Sequence, residues 1–136
     1  DGMGEYVANA AIKKMIEVGL APKKSKVVIL GLTFKENCPD VRNTKIVDIY
    51  STLKEYTSNI TVYDPWANAE SVKHEYGIDI ISDGIENLKG EFDAVILGVA
   101  HKEFLNLDIR SLLTNENGVV YDVKGILDRN IIDGRL

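Results

Sequence analysis

The chain has 136 residues, 45% of them hydrophobic, which is enough for one ordinary globular core. Its formal net charge of -5 argues against nonspecific nucleic-acid binding, which needs a basic face. No apolar run approaches the roughly 20 residues of a membrane span, and no signal peptide is visible, because the first residues are polar and helical in pattern. The single cysteine excludes an internal disulfide and suits a reducing cytoplasm. Asp1-Gly2-Met3-Gly4 lacks an initiator Met and reads as interior sequence, so a piece of a longer protein is expected.

Val7, Ala8, Ala11, Ile12, Met15 and Ile16 form one helical stripe within residues 3–19, and its alanines allow a neighbouring element to approach closely. Gly19 and Pro22 end that helix. Val27 to Leu30 is a short apolar run of the kind expected for a strand buried on both faces. Gly31 closes it, a polar loop with Lys35, Asp40 and Arg42 follows, and Ile46, Ile49, Tyr50 and Leu53 set a helix over about 44–56. Ile60–Tyr63 is a second strand, stopped at Pro65, and a polar helix over roughly 67–76 leads to a short strand over 78–81. A short helix near 85–88 precedes a buried-type strand over 93–98. Helical turns over 101–104 and 109–113, a last clear strand over 119–122 and a tail of undetermined form over 123–136 complete the chain.

Strands alternate with helices throughout, so the fold class is α/β: a doubly wound parallel sheet, Rossmann-like, preceded by one long helix. Parallel strands place the polar clusters Lys35–Arg42, Asp64–Trp66, Val99–Phe104 and Asp122–Gly125 on one edge, where open α/β sheets bind ligands. The first loop has no Gly-x-Gly-x-x-Gly, so its backbone cannot hug a pyrophosphate as a dinucleotide fold does. It offers instead Lys35 and Arg42, which can neutralise phosphate charge or simply be solvated, and Asp40, which can cap the next helix or orient Arg42. Asp64 can bind a ribose hydroxyl or, more commonly, shape a turn and cap a helix. Trp66 can stack on a base or be partly buried. His101 after a strand is more often an ordinary hydrogen-bonding residue than a titrating one, and Lys124 can reach a phosphate or sit in water. Cys38 has no histidine pair nearby, which argues against a metal site.

The run Gly31-Leu32-Thr33-Phe34-Lys35-Glu36-Asn37-Cys38-Pro39-Asp40-Val41-Arg42-Asn43-Thr44 resembles the C-terminal, UDP-binding domain of the UDP-glucose/GDP-mannose dehydrogenase family. Val62-Tyr63-Asp64-Pro65, Ala100-His101-Lys102-Glu103-Phe104 and Tyr121-Asp122-Val123-Lys124-Gly125 resemble that domain's later signatures, in the same order. The form Asn-Cys-Pro-Asp is most similar to UDP-N-acetylhexosamine 6-dehydrogenases, which supply uronic acids for surface polysaccharide. The resemblance implies a division at residue 22: residues 1–22 as the end of a central interdomain and dimerisation helix, residues 23–136 as the UDP-sugar-binding domain. It implies substrate contacts from Phe34, Lys35 and Lys124, and a contact from Arg42 to NAD. Relatives often have arginine at the position of Lys124, so the charge is kept and the bidentate fork lost.

By the same resemblance, the NAD-binding and central domains and the catalytic cysteine lie in the missing part of the parent, itself expected to be a homodimer. Cys38 is not that nucleophile, and the 136-residue chain is expected to be inactive alone, with no catalytic residue of its own. UDP-N-acetylmannosamine and UDP-glucose dehydrogenases are alternatives within the family. From other classes, a ligand-free α/β module and a receiver-like domain remain; the latter needs an acidic pair after the first strand, where this chain has Gly31-Leu32-Thr33.

Overall fold

The computed structural model describes residues 2–136. Six strands form one parallel sheet: β1 (Val27–Leu30), β2 (Ile60–Tyr63), β3 (Ile80–Ile81), β4 (Ala94–Leu97), β5 (Val119–Asp122) and β6 (Gly134–Arg135), in the order β3-β2-β1-β4-β5-β6. This is the doubly wound nucleotide-binding order, and it differs from the 2-1-3-4-5 order of receiver domains. Val27 in β1 stands opposite Ile60 of β2 and Ala94 of β4, which puts β1 at the centre.

Alternation along the strands fills two cores. Val27, Ile29, Ala94 and Ile96 face a layer built by α1 (Met3–Glu17), α2 (Ile46–Leu53) and α3 (Ala69–Tyr76). Val28, Leu30, Val95 and Leu97 face the opposite layer, made by α4 (Lys102–Leu105) and the 3-10 turns Ile85–Leu88 and Ile109–Leu112. Both faces of β1, β4 and β5 are therefore covered, which explains their unbroken apolar runs.

Of the stripe expected on α1, Val7, Ala8, Ala11, Ile12 and Met15 enter the same core as β1 and β4, whereas Ile16, next to the helix end, is exposed. A Cβ on Gly4 would lie 2.5 Å from the Asp48 Cβ, so α1 and α2 meet backbone to backbone there. The helix ends at Glu17, where the Gly19 and Leu20 N–H groups return to the Ile16 and Met15 carbonyls.

Several boundaries shift for local reasons. The Thr44 hydroxyl accepts the Ile46 N–H, so 44–45 form a capping turn and α2 starts later than its pattern suggests. Asn68 accepts the Ser71 N–H and fixes the start of α3 at Ala69. The segments at 85–88 and 109–112 are 3-10 rather than α-helical, and only Ile80–Ile81 of the expected 78–81 strand pairs. The tail is ordered: a 3-10 turn Arg129–Ile131 leads to β6, held by the Asp133 N–H on Val120 O and the Val120 N–H on the Asp133 carboxylate. Two residues without apolar alternation gave no strand signal. Among the described residues, no helix is long and apolar enough to cross a membrane.

Candidate functional site

In this sheet order the chain reverses direction between β1 and β4, and crevices open beyond the carboxyl ends at such a point. Gly31 makes the crevice possible: its φ is +92°, and a Cβ there would sit 2.6 Å from the Val99 Cβ. The two strand ends are laced together by the Gly98 N–H on Leu30 O, at 2.8 Å. A cleft of about 100 Å³ lies over this junction, lined by Thr33–Lys35, Thr44–Ile46, Gly98–Val99, Val123–Lys124 and Met3.

Three of the four singled-out residues meet in this cleft: Phe34, Lys35 and Lys124. Lys45 lines it too, and among the described residues no carboxylate does. Among the described residues, Lys35 and Lys124 form no ion pair. Lys35 and Lys124, two ammonium groups on one cleft in a chain of net charge -5, make a local positive field suited to an anion. Phe34 is 56% exposed, an aromatic surface beside those cations rather than a core residue.

Arg42 lies elsewhere. It lines a broader, shallower hollow of about 760 Å³ with Asn68, Ser71, His74 and Glu75 of the α3 side. Asp40 receives its Nε and Nη2, each at 3.0 Å, as well as its backbone N–H at 2.9 Å. Of the two uses open to Asp40, orienting Arg42 is the one observed, and those hydrogen bonds hold the Asp40 carboxyl at about 2. Among the described residues, Nη1 has no hydrogen-bond partner.

The loops carrying these groups are built by two buried carboxylates at strand ends. Asp64, after β2, is fully buried; Oδ2 accepts the N–H groups of Leu32 (2.6 Å) and Thr33 (2.9 Å), and Oδ1 those of Trp66 (2.7 Å) and Ala67 (3.2 Å). Burial alone would push this carboxyl up; the His101 hydrogen bond and the Leu32 and Thr33 N–H groups outweigh it and hold it below the usual range. Asp64 is thus a turn-shaping residue, with no oxygen presented to a ribose. Asp122, the last residue of β5, does the same, accepting the N–H groups of Lys124, Gly125 and Leu127.

His101 is buried, with Nε2 3.0 Å from Asp64 Oδ2 and 3.1 Å from Thr33 Oγ1, while Nδ1 accepts the Asn37 N–H at 3.0 Å. Trp66 is half-buried, one face stacked near His101 and its Nε1 donating to Glu103. Cys38 is half-buried, and no cluster of metal-ligating side chains exists among the described residues. Sequence reasoning missed Asn37, which bridges Lys102 N–H and His101, and the bracing roles of Thr33 and Asp122. An Asp at a strand end before a turn was the available signal for Asp122; nothing in the sequence marked Asn37.

The sheet order, the crevice at the switch point and its cationic lining define a doubly wound domain of the nucleotide-binding class. Residues 28–129 match the UDP-glucose/GDP-mannose dehydrogenase family, UDP binding domain, and the chain belongs to that family. It is 45% identical over 139 aligned positions to a UDP-N-acetyl-D-glucosamine 6-dehydrogenase of Pseudomonas aeruginosa, covering 100% of this chain and 32% of that protein. It is 41% identical to Protein CapL of Staphylococcus aureus, covering 94% of this chain and 30% of that protein. The NDP-N-acetyl-D-galactosaminuronic acid dehydrogenase structure from Methanosarcina mazei Go1 shares the fold, with a TM-score of 0.82 at 20% identity, covering 98% of this chain and 29% of that one. The chain therefore spans about a third of the length of the relatives it matches.

Proposed function

We propose that this chain is the nucleotide-sugar-binding domain of an NAD-dependent UDP-N-acetylhexosamine 6-dehydrogenase, of the GlcNAc or GalNAc type, that makes uronic acids for surface polysaccharide. The observation that carries the reading is the cleft at the β1–β4 junction, with Lys35 and Lys124 around an exposed Phe34 and, among the described residues, no carboxylate in the lining. A nucleoside diphosphate needs its two phosphate charges met, and a lysine pair does this by point charge. Phe34 supplies an apolar contact to the nucleotide or its sugar. The relatives named UDP-N-acetyl-D-glucosamine 6-dehydrogenase support the hexosamine over glucose, at 45% and 42% identity.

NAD belongs to the longer protein, where it supplies the hydride acceptor. The loop after β1 has no glycine-rich turn for a pyrophosphate, so this chain fits only an edge contact with the cofactor. Arg42, pre-oriented by Asp40, makes that contact from the separate hollow. The longer protein is a cytoplasmic homodimer in this reading, with residues 1–22 as the end of its central helix and residues 23–136 as the binding domain.

Calorimetric titration of the longer protein with UDP and UDP-N-acetylglucosamine tests the assignment. Binding that is lost in a Lys35→Ala, Lys124→Ala double variant of wild-type stability is expected. Equal affinity in the double variant would remove the cleft as the nucleotide site.

A further inference from the structure

The residues Phe34, Lys35 and Glu36 form a short arch between two anchor points, and both anchors meet one buried imidazole. On one side Thr33 holds His101 Nε2 through its Oγ1, at 3.1 Å, while that hydroxyl also donates to Lys35 O at 3.1 Å. On the other side the Asn37 N–H donates to His101 Nδ1 at 3.0 Å. Asn37 adopts a left-handed backbone, φ 54°, and its Oδ1 accepts the Lys102 N–H, which docks the end of the arch onto the start of α4. His101 is fully buried.

The geometry points to His101 as a positioning residue: the neutral imidazole protonated on Nε2 clamps the 34–36 arch from beneath and so sets Phe34 and Lys35 in the cleft. The donors fix this tautomer. Nδ1 faces an N–H and must offer its lone pair, while Nε2 faces the Asp64 carboxylate, an acceptor only, and must carry the proton. The opposite tautomer would set two N–H groups against each other at Asn37 and a lone pair against the Asp64 carboxylate. Asp64 therefore acts on the arch twice, through the Thr33 N–H and through the tautomer it selects. No proton moves in this role, and His101 lines no part of the cleft. The consequence for nucleotide-diphosphate binding rests on the function proposed above; the clamp itself does not.

Two variants separate the ring's two sides. His101→Asn keeps an acceptor near the position of Nδ1 and loses the reach to Asp64; His101→Gln keeps a donor near Nε2 and loses the acceptor for Asn37. Both leave a void and break one side of the ring's bonding, so both are expected to lower the melting temperature of the chain. Only His101→Gln is expected to speed amide hydrogen exchange at Asn37, while both variants, each releasing one anchor of the arch, are expected to weaken UDP binding by the longer protein, by about tenfold. Long-range proton–nitrogen correlation on the wild-type chain reads the tautomer directly and requires no variant to fold; a proton on Nδ1 at neutral pH overturns the clamp. Equal exchange at Asn37 in the two variants overturns it as well. Wild-type protein that fails to bind UDP would overturn the proposed function instead, with the clamp still decided by exchange and tautomer.

Discussion

Asp64→Asn is the substitution that most directly tests how the cleft is held. The carboxylate takes three donors on Oδ2, from Leu32, Thr33 and His101, and two on Oδ1, from Trp66 and Ala67. An asparagine has one acceptor oxygen. Its best placement keeps that oxygen on the Oδ2 side and turns an NH2 group toward the Trp66 and Ala67 N–H groups, orphaning both. Two lost bonds to a charged acceptor, plus weakening of the remaining three, cost about 3–5 kcal/mol. That is a large share of a stability of about 5–15 kcal/mol.

The pH dependence has a definite sign. The folded Asp64 carboxyl lies below its unfolded value, so its contribution is fully present above about 3.9 and fades as pH falls through the folded value. Urea unfolding followed by far-UV circular dichroism should thus show a wide gap between wild type and variant at pH 7, narrowing below about pH 4. Asp40, also depressed, is present in both proteins and drops out of the difference. A gap under about 1 kcal/mol at pH 7, or one that stays constant on acidification, would refute the reasoning.

Lys35→Ala should lower the UDP-sugar affinity of the longer protein about ten- to a hundredfold with an unchanged melting temperature. That deficit should shrink as salt rises; equal calorimetric affinity at low salt would return Lys35 to a solvated loop charge. Arg42→Ala should impair NAD use more than nucleotide-sugar binding in steady-state kinetics. Normal NAD kinetics with a lowered melting temperature would instead mark Arg42 as a loop brace. The 136-residue chain alone should form no NADH from any UDP-sugar, and spectrophotometric detection of turnover would contradict the division of labour proposed here.

The fold was legible because its central strands are apolar on both faces and its helices amphipathic, so alternation of period and length reported each layer. What stayed hidden was short or polar. β6 is two residues long and is held by the Asp133 carboxylate and by Arg110 on the Ile131 carbonyl, contacts with no periodic signature. The bracing of the cleft was equally hidden, because Asp64 and His101 lie 37 positions apart and His101 and Asn37 64 positions apart. A parallel sheet can be expected to bring such segments to one edge, but which polar groups then become buried partners depends on side-chain packing that pattern alone does not encode. Lys35 and Lys124 could be singled out as cations that follow strands, whereas Phe34 came only from the family resemblance; all three are exposed.

One loop serves two separate places, and its internal bonding explains how. The Phe34 N–H donates to Asp40 O at 2.7 Å, pinching residues 35–39 into a tip above a narrow neck. Below the neck on one side, Asp64 and His101 hold Thr33 and Asn37, which aims Lys35 at the cleft. On the other side the Tyr76 hydroxyl donates to Val41 O, and Asp40 grips Arg42, which keeps the guanidinium over the α3 hollow. The two cations are seven positions apart in sequence and belong to different cavities because each flank has its own brace. A ligand in the cleft and one in the hollow can therefore touch the same loop without competing for a residue, and the neck bond at Phe34 is the shortest covalent and hydrogen-bonded route between them. Under the function proposed above, a single segment of the binding domain would meet the nucleotide sugar on one flank and the cofactor on the other.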